Sequence, residues 1–200
     1  MRLAAMVLWL SGCAGVAWAQ SAHIVVTHDD PDGLVDPGQI VRINLRVSWT
    51  FLPLGWRLSS VEGDAAASPD LGVASNPGTA LNFGNPTAHV SLGVPVLGSI
   101  RGFRFGQASG PVLVPGSSNA EGLDFLWYDW EAPVAPGAYA FNFDYDPQTQ
   151  GVWLLREPNT YMKAALTTEA AFLTVVPAPG ALAVFGAGAA CWRRRRAMSA

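Results

Sequence analysis

The chain has 200 residues, half of them apolar, yet only 14% are charged. That is room for one domain once targeting segments are set aside, and its 21 glycines and 15 prolines fall between short apolar runs, which favours strands joined by turns over long helices. Arg2, Arg193, Arg194, Arg195 and Arg196 sit in the terminal segments, so residues 20–176 keep seven cations against fifteen anions, a net of −8. A body of that sign offers no electrostatic footprint for nucleic acid or an anionic membrane.

Residues 1–19 read as a secretory signal peptide. Arg2 precedes a short apolar core, and Ala17 and Ala19 place small residues at the −3 and −1 positions of a cut before Gln20. A second processing site lies inside the first: Leu10-Ser11-Gly12-Cys13 resembles a lipoprotein lipobox, whose cysteine would be acylated. Cys13 and Cys191 are the only cysteines and both fall in the terminal apolar stretches, so the body has neither a disulfide framework nor a thiol nucleophile.

Residues 20–174 form the expected folded body. Residues 23–27 are a short apolar run, followed by the turn cluster Asp29-Asp30-Pro31-Asp32-Gly33 and a second turn at Asp36-Pro37-Gly38. Residues 39–49 alternate: Val41, Ile43, Leu45, Val47 and Trp49 point one way, and Ile40, Arg42, Asn44, Arg46 and Ser48 the other. Residues 56–61 are the next predicted strand. From 63 to 95 the composition predicts long loops with one short strand near 88–92. Strands follow at 100–105, 122–130, 139–145, 151–155 and 164–176, with a turn at 133–137. Eight or nine short strands predict an all-β fold, an antiparallel β-sandwich of Ig-like, cohesin-like or jelly-roll type. Asp36-Pro37-Gly38 ahead of a long alternating strand is similar to cohesin-type and related Ig-like bacterial surface modules.

Motifs for chemistry are absent from the sequence. His23, His28 and His89 have no metal-ligand spacing, and there is no serine-hydrolase elbow or phosphate-binding loop. Asp29, Asp30 and Asp32, with His28, present oxygen ligands for calcium or an ordinary solvated turn. Asp144 and Asp146 read as a polar strand edge, and a glycosidase pairing of Glu131 with Glu157 has no support. Trp49, Trp56, Trp127, Trp130 and Trp153 serve either a packed core or, if exposed in a row, a carbohydrate-binding face.

Residues 175–200 carry Val176-Pro177-Ala178-Pro179, an uncharged apolar run over 180–192, and then four arginines. As a helix the run spans roughly 20 Å, short of the roughly 30 Å hydrocarbon core, which predicts a marginal transmembrane helix with Arg193, Arg194, Arg195 and Arg196 as its cytoplasmic stop. This end resembles the PEP-CTERM sorting signal of exported bacterial proteins, with Ala178 where the name-giving glutamate would stand. The resemblance implies an exosortase-type processing enzyme, transient membrane attachment and delivery to the cell surface or medium. The expected protein is therefore an exported, non-enzymatic surface or matrix protein with no cofactor, whose partners are that enzyme, the membrane and exopolysaccharide or matrix. The alternative is a carbohydrate-binding surface module.

Overall fold

The computed structural model describes residues 21–50, 56–79, 88–107, 122–156 and 160–177. Among them are fourteen strands: β1 (Ser21–His28), β2 (Leu34–Val35), β3 (Ile40–Thr50), β4 (Trp56–Ser68), β5 (Val73–Gly78), β6 (Ala88–Ser91), β7 (Val94–Val96), β8 (Ser99–Gln107), β9 (Leu123–Glu131), β10 (Gly137–Asp144), β11 (Gly151–Arg156), β12 (Thr160–Lys163), β13 (Ala165–Glu169) and β14 (Ala171–Val175). They build a sandwich. One sheet runs β13-β1-β3-β9-β5, and the other β12-β11-β4-β10-β14-β2, with β8 paired to β4 and carrying β6 and β7.

The alternation in β3 is realised as read. Val41, Ile43, Leu45, Val47 and Trp49 are buried, while Ile40 is exposed at the strand's start. In β9 a bulge interrupts the alternation: Leu45 pairs with Leu126 but Arg46 with Asp124, so Phe125 and Leu126 both turn inward. The core between the sheets is aromatic. Trp130 of β9 packs on Tyr139 and Phe141 of β10, with centroids 5.4 and 5.0 Å apart, and Phe125 meets Phe103 of β8 at 5.7 Å.

Three expectations are corrected. The stretch 63–95 is not chiefly loop: β4 continues to Ser68, and β5 and β7 lie within it, besides the expected strand at β6. Its inward residues Ala65 and Ala67 alternate with Asp64, Ala66 and Ser68, and alanine on both faces hides the period of two. The sheets are not wholly antiparallel, since β13 pairs with β1 and β14 with β2 in parallel. The predicted strand 164–176 is one path divided between sheets at Ala170: its first half extends the five-stranded sheet and its second half joins β10. Both halves run in the direction of β1, hence the parallel pairs. The third correction is number, fourteen strands among the described residues against eight or nine, because β2, β7 and β12 are too short to show a period, β5 lies in the stretch expected as loop, and 164–176 divides into β13 and β14.

The expected signal segment with Cys13, Ala17, Ala19 and Gln20 lies outside the described residues, as does the transmembrane helix expected over 180–192. No helix among the described residues is long and apolar enough to cross a membrane.

Candidate functional surface

The acidic turn after β1 is built to satisfy backbone donors. Asp30 Oδ1 accepts from the N–H groups of Gly33 (2.7 Å) and Asp32 (3.3 Å), and its Oδ2 accepts from Gln39 Nε2 (3.0 Å). Burial alone would raise its pKa, but these bonds outweigh it and hold the carboxyl below the ordinary aspartate value. Asp29 accepts from Arg42 N at 2.8 Å, Asp32 from Leu34 N at 3.0 Å, and His28 Nδ1 donates to Asp30 O at 3.0 Å. These carboxylates face the chain's own amides, and no group of three or more His, Cys, Asp or Glu among the described residues could hold a metal ion. Asp146 similarly caps its own turn, accepting from Gln148 N and the Thr149 hydroxyl, which lowers its pKa. Glu157 lies outside the described residues, so the pairing with Glu131 has no geometry.

The tryptophans divide between core and opposite outer faces. Trp49 and Trp130 are buried. Trp127 is half-buried on the five-stranded sheet beside Gly78, and Trp153 is half-buried on the other sheet, where Lys163 Nζ lies 5.8 Å from its ring centroid. The side chain of Trp56 lies outside the description. No row of exposed tryptophans forms among the described residues, so the sugar-stacking face has no platform there.

A polar cluster pins the connection 69–72 where it crosses from β4 to β5. Arg101 donates from Nη1 to Asp64 (3.2 Å) and from Nη2 to Asp70 (3.0 Å). The buried Ser99 hydroxyl accepts from Ala67 N at 3.0 Å and donates to Asp70 at 2.6 Å. Burial works against the Arg101 charge, but bonds and charges from Asp70 and Asp64 prevail and raise its pKa. Gly72 makes the crossing possible: at φ +90 its ideal Cβ would fall 2.5 Å from Trp130 Nε1 and 2.6 Å from Glu131 O. Trp130 Nε1 in turn donates to Leu71 O at 3.0 Å.

This crossing belongs to one end of the sandwich. Ile40, Glu131 and Val73 share one rung of the five-stranded sheet. Gly137, Val175 and Val35 share one rung of the other. Short connections over 36–39, 69–72 and 132–136 join the two sheets there, and the chain leaves at the same place. Val176 N donates to Val35 O at 3.0 Å, and Pro177 is exposed. Thus Val176 of the expected sorting motif is tied to the body, Pro177 stands clear of it, and Ala178, Pro179 and the four arginines fall outside the described residues. Ser21 pairs with Thr50, ten residues along β3 from Ile40, so the N-terminal side lies about 33 Å away at the opposite end.

No family model matches the chain, and no curated protein matches it. Among solved structures it is similar to CaCohA2 from Clostridium acetobutylicum, at 14% identity and a TM-score of 0.48, over 79% of this chain and 92% of that one. It is also similar to the second type II cohesin module from the cellulosomal adaptor ScaA scaffoldin of Acetivibrio cellulolyticus, at 10% identity and 0.49, over 80% and 98%. A third similar structure is a cohesin module from a Clostridium perfringens family 33 glycoside hydrolase, at 8% identity and 0.44, over 79% and 96%. Likeness at this level carries neither partner nor activity to this chain.

Sequence reasoning missed the exit end itself. Large apolar side chains lie exposed around it: Val134 (84%), Ile40 (65%), Leu97 (61%), Val73 (56%), Leu34 (53%) and Leu71 (43%). The legible signal was a large apolar residue set against turn-forming Pro, Gly or Asp, as in Pro133-Val134, Leu97-Gly98 and Gly72-Val73. Their convergence depends on the three crossings and could not be read along the chain.

Proposed function

We propose that this chain is an exported, non-catalytic surface protein whose β-sandwich is held at the membrane by its C-terminal segment and then processed at Val176-Pro177-Ala178-Pro179 by an exosortase-type enzyme. The observation that carries this reading is the exit of the chain. Its closing strand β14 is locked between β10 and β2, and the motif begins one residue after the last rung, with Pro177 already in solvent. A membrane enzyme would meet the motif without unfolding the body. The anionic body and the four terminal arginines fit the same orientation, sandwich outside and arginines inside.

The aspartates best placed for other chemistry are used as turn caps or Arg101 partners, which supports a binding or structural role over catalysis. Mass spectrometry of the protein from cell-surface and medium fractions tests the proposal. The expected mature chain begins at Gln20, or at an acylated Cys13, and ends near Pro177 to Pro179. An intact 200-residue chain soluble in the cytosol would overturn it.

A further inference from the structure

We infer that the exit end of the sandwich is a membrane-contacting rim, seated on the lipid interface before the tail is processed. The inference rests on the anchoring proposed above and adds that the folded body, not its tail alone, touches lipid.

Two observations converge on it. The first is reach. Only Ala178 and Pro179 separate Pro177 from the apolar run that starts at Gly180. Even fully extended, such a link spans only about 10 Å, so a tail in the bilayer holds this end of the body at the headgroups. The second is chemistry. Leu34, Ile40, Leu71, Val73, Leu97 and Val134 are all exposed. Ile40 and Val73 flank Glu131 on one rung, Ala74 N donates to Leu97 O at 2.6 Å, and Leu71 O accepts from Trp130 Nε1. Val134 tops the uncharged connection Pro133-Val134-Ala135-Pro136, which the Tyr139 hydroxyl ties down by donating to Ala135 O at 2.9 Å.

Exposed apolar side chains on tight turns insert among headgroups and acyl-chain ends at little cost to the fold, as the apolar face of an interfacial helix does. The acids of this end suit that seat too. Asp29, Asp30 and Asp32 are turned to backbone amides, and Asp70 to Ser99 and Arg101. Asp29, Asp32, Asp36 and Glu131 remain exposed around the apolar side chains, so the contact is apolar and is not drawn by anionic lipid.

The test uses the tail-bearing chain purified from membranes after signal removal, in vesicles of phosphatidylethanolamine and phosphatidylcholine containing doxyl-labelled lipid. A polarity-sensitive fluorophore is placed singly at Val134→Cys, Leu97→Cys or Gln148→Cys, with Cys13→Ser and Cys191→Ser. A fourth sample, carrying only Cys13→Ser, is labelled at Cys191. Gln148 is exposed in the turn after β10, away from the exit end. The expected result is a blue shift and quenching at 97, 134 and 191, with the label at 148 behaving as in water. Quenching at 191 with labels at 97 and 134 as wet as that at 148 would overturn the rim and leave the anchoring intact. A chain that fails to float with vesicles, and whose Cys191 label stays in water, would overturn both.

Discussion

The outer face of the five-stranded sheet and the corner beside Gly72 are both held by arginine and aspartate, and the comparison separates decoration from support. On the face, Arg42 Nε donates to Asp129 at 3.1 Å, Asn76 Nδ2 donates to the same carboxylate at 3.1 Å, and Arg46 pairs with Asp124 at 3.3 Å. Each pair joins strands that a backbone ladder already holds, and the arginine side chains are half exposed. At the corner, Arg101 joins β4 and β8 to a connection with no ladder of its own. Its aspartates also accept from Gly102 N and from Ser99, which in turn satisfies Ala67 N. Losing the arginine there unsettles the aspartates that serve Gly102 N and, through the buried Ser99, the buried Ala67 N, whereas on the face water replaces the partner.

Substitutions can break or sharpen that contrast. The largest effect is expected from Trp130→Ala, which empties the aromatic centre and frees Leu71 O; urea unfolding is expected to show a loss of about 3–5 kcal/mol. A smaller loss than that of Arg101→Ala would mean that the polar cluster, not the ring, holds the corner. Arg101→Ala is expected to cost about 1–3 kcal/mol, discounted because its side chain is 36% exposed, against under about 1 kcal/mol for Asp129→Ala. Equal losses from these two in the same unfolding experiment would erase the difference between corner and face.

Acid provides a third probe. Because the folded chain holds the Asp30 carboxyl below its ordinary pKa, its stabilisation is present at neutral pH and is lost as pH falls through the folded value. The melting-temperature difference between the parent and Asp30→Asn is expected to shrink steadily below the ordinary aspartate range; a constant difference would contradict this. The smallest effect is expected at Tyr128. Its hydroxyl is buried with no hydrogen-bond partner among the described residues; burial and then the Asp70 charge raise its pKa, opposed by Arg101. Tyr128→Phe is expected to be neutral or to stabilise by up to about 1 kcal/mol in urea unfolding. A clear destabilisation would show that the hydroxyl supports the corner.

Legibility followed the contrast between the two sides of each strand. In β3, charged Arg42 and Arg46 oppose Ile43, Leu45 and Val47, and the strand and its buried face could be read in advance, with Ile40 the apolar exception on the other face. In β4, Ala65 and Ala67 face inward and Ala66 sits on the other side, so the same period left no trace. The bulge at Phe125 was equally silent, since two consecutive apolar residues fit either face until a partner strand assigns the register. Among candidate site residues, the aspartates of the first turn were legible as turn formers. Their preference for backbone amides emerged only once Gly33, Gln39 and Arg42 were brought beside them.

The sequence by itself determined the strand-rich body, the buried side of β3 and the division of charge between body and tail. These follow from local alternation and composition, which need no knowledge of neighbours. Only the tertiary structure decided which strands pair, that residues 165–175 change sheets at Ala170, and that the apolar turns gather where the chain leaves. Those outcomes depend on contacts between residues far apart in the chain, and no local period carries that information.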